Sequence, residues 1–250
     1  MELTEYRNSP TERARVGDLM DMLPGGIQSA LDIGARDGHL SRLLADRLEK
    51  VVALDLQRPV IDDARVECVQ GDATALAFEH GAFDLVLCAE VLEHLPGSTL
   101  ERACAELARV SGRYLLIGVP YKQDLRLYRS TCQQCGALNP PWGHVNSFDE
   151  TRLGALFPGY QVARVSYVGQ ASAPTNALST WLMDRAGNPY GTYSQAEGCV
   201  ACGRPLGRPR PRTLWQRCLT RSAALARSVL QRRTPPQANW IHVLFKKQDS

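Results

Sequence analysis

Three carboxylates lie in or just beyond short apolar runs of this chain. Asp32 lies within Ala30-Leu-Asp-Ile-Gly34, Asp55 follows Val51-Val-Ala-Leu54, and Asp72 follows Val66-Glu-Cys-Val69. Asp55 comes 23 residues after Asp32, a spacing that suits a carboxylate accepting both hydroxyls of a ribose. Asp72-Ala73 pairs a carboxylate with a backbone amide, which can read an adenine edge. Gly34 and Gly38 bracket a turn whose dihedrals exclude side chains and let a ligand approach the backbone. Such a turn alone signals only a tight bend, but three acids in order at successive strand ends point to a ligand containing ribose and adenine. A second constellation is Cys132/Cys135 and Cys199/Cys202, two CxxC pairs each followed by glycine. Four thiolates at this spacing suit tetrahedral Zn²⁺ in a closed, structural site; a disulfide or four free thiols are the alternatives. Glu93, His94 and His144 are the candidate general bases. The plain alternatives are a helix-terminal histidine bonded to backbone for His94 and a structural turn histidine for His144.

These residues need a scaffold, and the hydrophobic pattern supplies one. Apolar runs at 30–34, 51–54, 66–69, 83–88 and 114–119 read as strands, and stretches 9–22, 39–48 and 99–110 carry helical spacing. Nearly all-apolar strands alternating with helices mean a parallel sheet covered on both faces. The expected fold is therefore α/β, a doubly wound, mostly parallel sheet with ligands bound beyond the carboxyl ends of its strands. A helix at 149–156 and strands at 160–168 and 240–245 complete the core. The core is expected over 1–120, 148–169 and 239–247, with insertions at 121–147 and 170–238 that each carry one CxxC and form a zinc-knuckle lid and a basic helix.

With these motifs in place, the chain resembles the class I S-adenosylmethionine-dependent methyltransferases. The matching residues are Leu31-Asp-Ile-Gly-Ala-Arg-Asp-Gly38, Val52-Ala-Leu-Asp55, Gly71-Asp-Ala73 and Phe83-Asp-Leu-Val-Leu-Cys-Ala-Glu-Val-Leu-Glu-His-Leu95. The resemblance covers most of residues 10–168 and the final strand. It implies a seven-stranded Rossmann-like sheet whose last strand is antiparallel, and S-adenosylmethionine as cofactor. It also implies that Gly34, Ala35 and Gly38 line the methionine portion, Asp55 the ribose, and Asp72-Ala73 the adenine. Asp32, Leu56, Cys88 and Glu90 complete the implied cofactor-binding set. Arg36 replaces the family's common middle glycine, so its side chain must point away from the ligand. A nicotinamide dehydrogenase shares the sheet and the ribose acid, but the turn is not G-x-G-x-x-G. Asn139-Pro-Pro-Trp142 spells a tetrapeptide of adenine-N6 methyltransferases, yet it follows the fifth strand rather than the fourth and reads as loop chemistry.

Composition bounds the rest. The 250 residues carry a net charge of +3, but residues 203–250 hold 11 Lys/Arg against one acid, leaving the remainder at −7. The proline-rich run Arg204–Arg212 precedes a helix expected over 213–233, with Trp215, Cys218, Ser222, Leu225 and Val229 as its apolar stripe. This basic segment suits an anionic substrate or a membrane surface; the alternative is a helix that docks its apolar face on the core and leaves its arginines solvated. Met1–Tyr6 lacks the basic and apolar regions of a signal peptide, and no apolar run approaches the ~20 residues of a membrane span, so a cytoplasmic protein is expected. Methyl transfer to an O or N acceptor on a small molecule or glycan, of natural-product or surface-polysaccharide type, is the expected function. A nucleic-acid methyltransferase and a non-catalytic binding protein are the alternatives.

Overall fold

The computed structural model describes residues 7–195, 197–209, 211–231, 235 and 237–248. Met1–Tyr6, the side chain of Val229, and Arg210, Arg232 and Arg233 of the basic segment lie outside the described residues. The strands are β1 (Ser29–Ile33), β2 (Lys50–Asp55), β3 (Val66–Gln70), β4 (Phe83–Ala89), β5 (Ser111–Pro120), β6 (Ser130–Thr131), β7 (Leu138–Asn139), β8 (Tyr160–Val168) and β9 (Trp240–Lys247). The helices are α1 (Pro10–Asp21), α2 (His39–Ala45), α3 (Gly97–Val110), α4 (Glu150–Leu156), α5 (Ala177–Arg185) and α6 (Leu214–Gln231). No helix among the described residues is long and apolar enough to cross a membrane.

The chain divides into two compact units. The first contains residues 1–121, 148–169 and 238–250, and is built on a seven-stranded sheet of order β3-β2-β1-β4-β5-β9-β8. Strands β1 to β5 pair in parallel, and β9 runs antiparallel to both β5 and β8. The fold class expected from the sequence is therefore present, with its antiparallel last strand inserted between β5 and β8. The central strands β1, β4 and β5 are buried because helices cover both faces; Leu31, Leu85, Val86, Leu87, Leu115, Leu116 and Ile117 are wholly inaccessible. Helix α3 packs on one face through Leu100, Ala103, Cys104, Leu107 and Val110, the spacing of an apolar helical stripe. Helix α1 starts at Ser9, whose hydroxyl accepts the Glu12 N–H, with proline in the first helical position.

The second unit contains residues 122–147 and 170–237. Its helices α5 and α6 pack together, and β6 and β7 form a short antiparallel hairpin. Here the structure adds one element to the sequence reading and corrects another. Helix α5 falls in the insertion 170–238, where the sequence reading placed only the basic helix; Asn176 caps it by accepting the Ser179 N–H. On α6 the expected apolar stripe is the exposed face: Trp215 and Leu225 are each 70% accessible, and Cys218 is exposed. Leu219 and Ala223 are the buried positions instead. Tertiary packing overrides the stripe because the small Ala223 allows close approach to α5, where the Ser179 hydroxyl donates to the Ala223 carbonyl at 2.8 Å.

The packing of the first unit is open to test at two positions. Leu107→Ala removes a fully buried side chain and is expected to lower stability by about 2–5 kcal/mol, against within about 0.5 kcal/mol for Glu101→Ala on the exposed face of α3; urea denaturation reads both. Asp32 is 2% exposed on β1 and accepts the Ser41 hydroxyl at 2.6 Å. Burial raises its carboxyl to about 7, with the Ser41 hydrogen bond and Arg7 opposing that rise. Between about pH 4 and 7 the folded chain thus holds a proton that the unfolded chain has released. Stability must fall as pH rises through that window. Wild type is expected to lose about 2–4 kcal/mol relative to Asp32→Asn between pH 4.5 and 7.5; a difference independent of pH would refute it.

Candidate functional site

The turn after β1 is held against the end of β2. The N–H groups of Gly34 and Ala35 both donate to the Leu54 carbonyl, at 2.8 and 3.2 Å, and the Gly38 N–H closes the turn on the Ala35 carbonyl at 2.7 Å. Three residues of this turn are left-handed: Gly34 (φ 76°), Arg36 (φ 46°) and Gly38 (φ 73°). Arg36 occupies a conformation that favours glycine, at a cost of about 1–2 kcal/mol. Its side chain is exposed, and its N–H donates to Asp55 Oδ2 at 2.9 Å. The other Asp55 oxygen has no protein partner among the described residues. Gly34 is required twice over, by its positive φ and because a Cβ there would collide with a Val91 methyl; Ile61 does the same at Gly38. The space that these glycines leave is therefore taken by Val91 and Ile61.

The other strand ends add more acids. Asp72 is exposed, and its Oδ1 accepts the Thr74 N–H and hydroxyl, each at 2.8 Å; these bonds hold its carboxyl below the usual range. Ala73 is half-buried, whereas Leu56 is 68% exposed. Glu90, left-handed at φ 60°, accepts the Trp240 indole N–H through Oε2 at 3.1 Å. Its Oε1 is buried with no partner among the described residues, and burial raises its carboxyl. Glu93 is fully buried with neither oxygen partnered among the described residues; burial first, then the Glu90 charge, push it well above the usual range. The Cys88 thiol is also sealed and pushed up by burial, so it acts as a small apolar core side chain. His94 ends the 3-10 turn Leu92–His94 and is half-buried.

One network here escaped the sequence reading. Arg7 bridges Asp37 of the first turn (2.9 Å) and Glu12 (2.6 Å), and Arg15 grips Glu12 through two bonds of 2.8 Å. The Arg15 guanidinium lies 5.8 Å from the centre of the Trp240 ring, and Trp240 donates to Glu90. A chain of charged contacts thus joins the first turn to the end of β4. Its signal was the presence of Glu12 and Arg15 on the same face of α1 as Val16 and Leu19, where two oppositely charged residues are buried together.

Bare carboxylate oxygens at the carboxyl edge of the sheet suit a ligand rich in hydroxyl and ammonium donors. They oppose a phosphate-bearing one. S-adenosylmethionine, with its ribose diol, amino groups and positive sulfonium, fits this donor set; Asp55 and the orphaned Glu90 oxygen are the acceptors that carry the fit.

In the second unit the four cysteines converge. Cys132 and Cys202 sulfurs lie 3.8 Å apart, those of Cys135 and Cys199 3.6 Å, and all four fall within 4.8 Å of one another. Four sulfurs at ~2.3 Å from a tetrahedral ion stand about 3.8 Å apart, whereas a disulfide needs about 2.05 Å. The two knuckles share one backbone pattern: Gly136 N–H donates to the Cys132 carbonyl at 2.9 Å and Gly203 N–H to that of Cys199 at 2.8 Å, both glycines left-handed. N–H groups of Ala201 and Cys202 lower the Cys199 thiol to about 6. The cluster can hold zinc in a closed four-thiolate set. Asn139 ties the hairpin to the second knuckle, accepting the Val200 N–H at 2.8 Å, which gives the Asn139-Pro-Pro-Trp142 loop its structural place. His144 belongs to this second unit, buried, with Nδ1 2.6 Å from Gln123 Oε1.

Comparison with known proteins bears on the first unit. Residues 31–114 match a family model described as a methyltransferase domain. A ubiquinone biosynthesis O-methyltransferase of Shewanella halifaxensis is 33% identical over 106 residues, 37% of this chain and 45% of that protein. One from Xanthomonas axonopodis pv. citri is 35% identical over 104 residues, 37% of this chain and 43% of that protein. The chain thus spans less than half the length of these curated relatives. The solved N-methyltransferase NodS of Bradyrhizobium japonicum superposes with a TM-score of 0.56 over 97% of this chain and 99% of that one, at 14% identity, a likeness of fold. With this match spanning the first turn, Asp55, Asp72 and the end of β4, the chain carries a methyltransferase domain of the class I S-adenosylmethionine-dependent family.

Proposed function

We propose that the protein transfers a methyl group from S-adenosylmethionine to an oxygen or nitrogen of a small molecule or glycan. The observation that carries this reading is Asp55. Its carboxylate is pinned by the Arg36 N–H and keeps one oxygen without a protein partner at the carboxyl edge of the sheet. In this reading Gly34, Ala35 and Gly38 border the methionine portion, with Asp32 behind them. Asp55 and Leu56 take the ribose, Asp72 and Ala73 the adenine, and Cys88 and Glu90 flank the cofactor. The bound cofactor supplies an electrophilic methyl on a sulfonium. The chain's own contribution is proximity and orientation, worth up to ~7–11 kcal/mol of barrier. His94 is the base we assign for a hydroxyl or ammonium acceptor, with His144 as second candidate. Glu93, the third candidate base, is fully buried, and burial together with the neighbouring Glu90 charge raises its carboxyl.

A small organic acceptor is supported by relatives named for ubiquinone biosynthesis. A structural neighbour is named as a 1,6-didemethyltoxoflavin-N1-methyltransferase of Burkholderia thailandensis (TM-score 0.54, 14% identity, 98% of this chain and 84% of that one). The four-cysteine cluster we read as a structural zinc site, closed to substrate because four sulfurs leave no open position.

Calorimetry with S-adenosylhomocysteine tests the cofactor site. Asp55→Ala is expected to weaken binding about a hundredfold, near 3 kcal/mol for two hydrogen bonds to a charged acceptor. Equal binding by a folded Asp55→Ala variant, or none by wild type, would overturn the reading. For the metal, native mass spectrometry is expected to find one zinc per chain. Cys199→Ser is expected to lose that zinc and keep S-adenosylhomocysteine affinity within about twofold, since the cluster lies wholly in the second unit.

A further inference from the structure

The second unit holds a cavity of about 740 Å³, and all of its walls come from that unit. Six arginines line it: Arg126, Arg129, Arg212, Arg217, Arg221 and Arg227. Two are matched by carboxylates: Arg126 makes bonds of 2.8 and 2.9 Å to Asp124, and Arg129 chelates Asp184. The other four have no carboxylate partner among the described residues. Arg212 lies over the Tyr190 ring at 4.9 Å and donates to the Thr220 hydroxyl at 3.1 Å. Arg227 gives one N–H to the Ala173 carbonyl, while its Nε is buried with no partner among the described residues. Arg217 and Arg221 stand one turn apart on α6 and are exposed. The hydroxyl of Thr180, a lining residue only 9% exposed, also lacks a partner among the described residues.

Four unmatched guanidinium charges around one hollow repel one another, and arginine cannot shed its proton to relieve this. An anion relieves it. The planar forks of guanidinium groups pair with phosphate oxygens two at a time, and four unmatched charges exceed what a single carboxylate neutralises. The volume is that of a small-molecule site, larger than one phosphate requires, and Leu127, Met183 and Ala224 give part of the wall an apolar character. We propose that this cavity binds a small molecule through a diphosphate group, with an organic body against the apolar wall. The proposal is independent of the methyl-transfer reading, because no residue of the cofactor site lines the cavity.

The test uses the intact protein, inorganic pyrophosphate as probe, and the Arg217→Gln/Arg221→Gln double variant. Both side chains are exposed and free of ion pairs among the described residues, so the fold is expected to survive. The matched control is Arg204→Gln/Arg208→Gln, which removes the same charge from the same basic segment outside the cavity. Calorimetry is expected to show one saturable site in wild type and control, weakened at least tenfold in the double variant, with S-adenosylhomocysteine binding and zinc content unchanged. Failure of wild type to saturate, or equal loss in the control, would overturn the proposal. Two competition arms separate the sources of the anion. If polyuridylate RNA, or vesicles of phosphatidylcholine and phosphatidylglycerol, bind through Arg217 and Arg221 and pyrophosphate does not displace them, the small-molecule assignment falls. Displacement by pyrophosphate supports it.

Discussion

The contact on which the first unit depends is the double donation of Gly34 and Ala35 N–H groups to the single carbonyl of Leu54, beside the bond from Arg36 N–H to Asp55. It fixes the end of β1 against the end of β2, so that a loop and a strand terminus share one rigid geometry. That geometry requires left-handed backbone at three of five residues, and only two of them are glycine. At Arg36 the strain is offset by the hydrogen bond that its amide makes to Asp55. The residue that departs from the family's glycine is thus also the one whose amide orients Asp55, and its exposed side chain leaves the edge of the sheet open. A side chain here changes the stability of the turn more than the chemistry it presents.

Burial does as much as hydrogen bonding to set the character of this edge. Asp32, Glu90 and Glu93 are all shifted upward by desolvation, while Asp72, exposed and bonded to Thr74, is shifted downward. Environment thus sends carboxyl groups that are close together in the fold in opposite directions. Asp32, raised to about 7, is the one whose charge state changes near neutral pH.

The sheet was legible in the sequence because its strands are buried on both faces: five apolar runs map onto β1 to β5 within a few residues, and the antiparallel last strand followed from the family resemblance. The cysteine pairs were legible because metal spacing is local. The same reading failed on α6, where an apolar stripe at Trp215, Cys218 and Leu225 faces solvent. Periodicity reports which residues could form a face, and only the partner decides which face is buried; the small Ala223, packed against Ser179, outweighed the larger side chains. The network of Arg7, Glu12, Arg15 and Trp240 went unread for a related reason. Glu12 and Arg15 share a face of α1, but Trp240 is distant in sequence, and buried ion pairs have no periodic signature.

The two units divide the chain's charge in opposite ways, and this constrains what each can bind. The edge of the sheet collects Asp55 and Asp72, whose carboxylates accept hydrogen bonds and repel anions. The cavity of the second unit collects arginines and repels cations. A ligand with a sulfonium and an ammonium group is drawn to the first and turned away from the second; a diphosphate is sorted the other way. The acidic body and basic tail visible in the sequence thus resolve into two sites of opposite polarity. Within the basic tail the arginines are not equivalent: Arg204 and Arg208 are exposed along a proline-rich run, while Arg212, Arg217, Arg221 and Arg227 are brought to one cavity, the last three by helix α6. Net charge alone accounts for solubility or a diffuse attraction to anions. Convergence of four guanidinium groups without carboxylate partners among the described residues on one hollow carries a sharper meaning, because their mutual repulsion opposes it and a bound counter-charge relieves it.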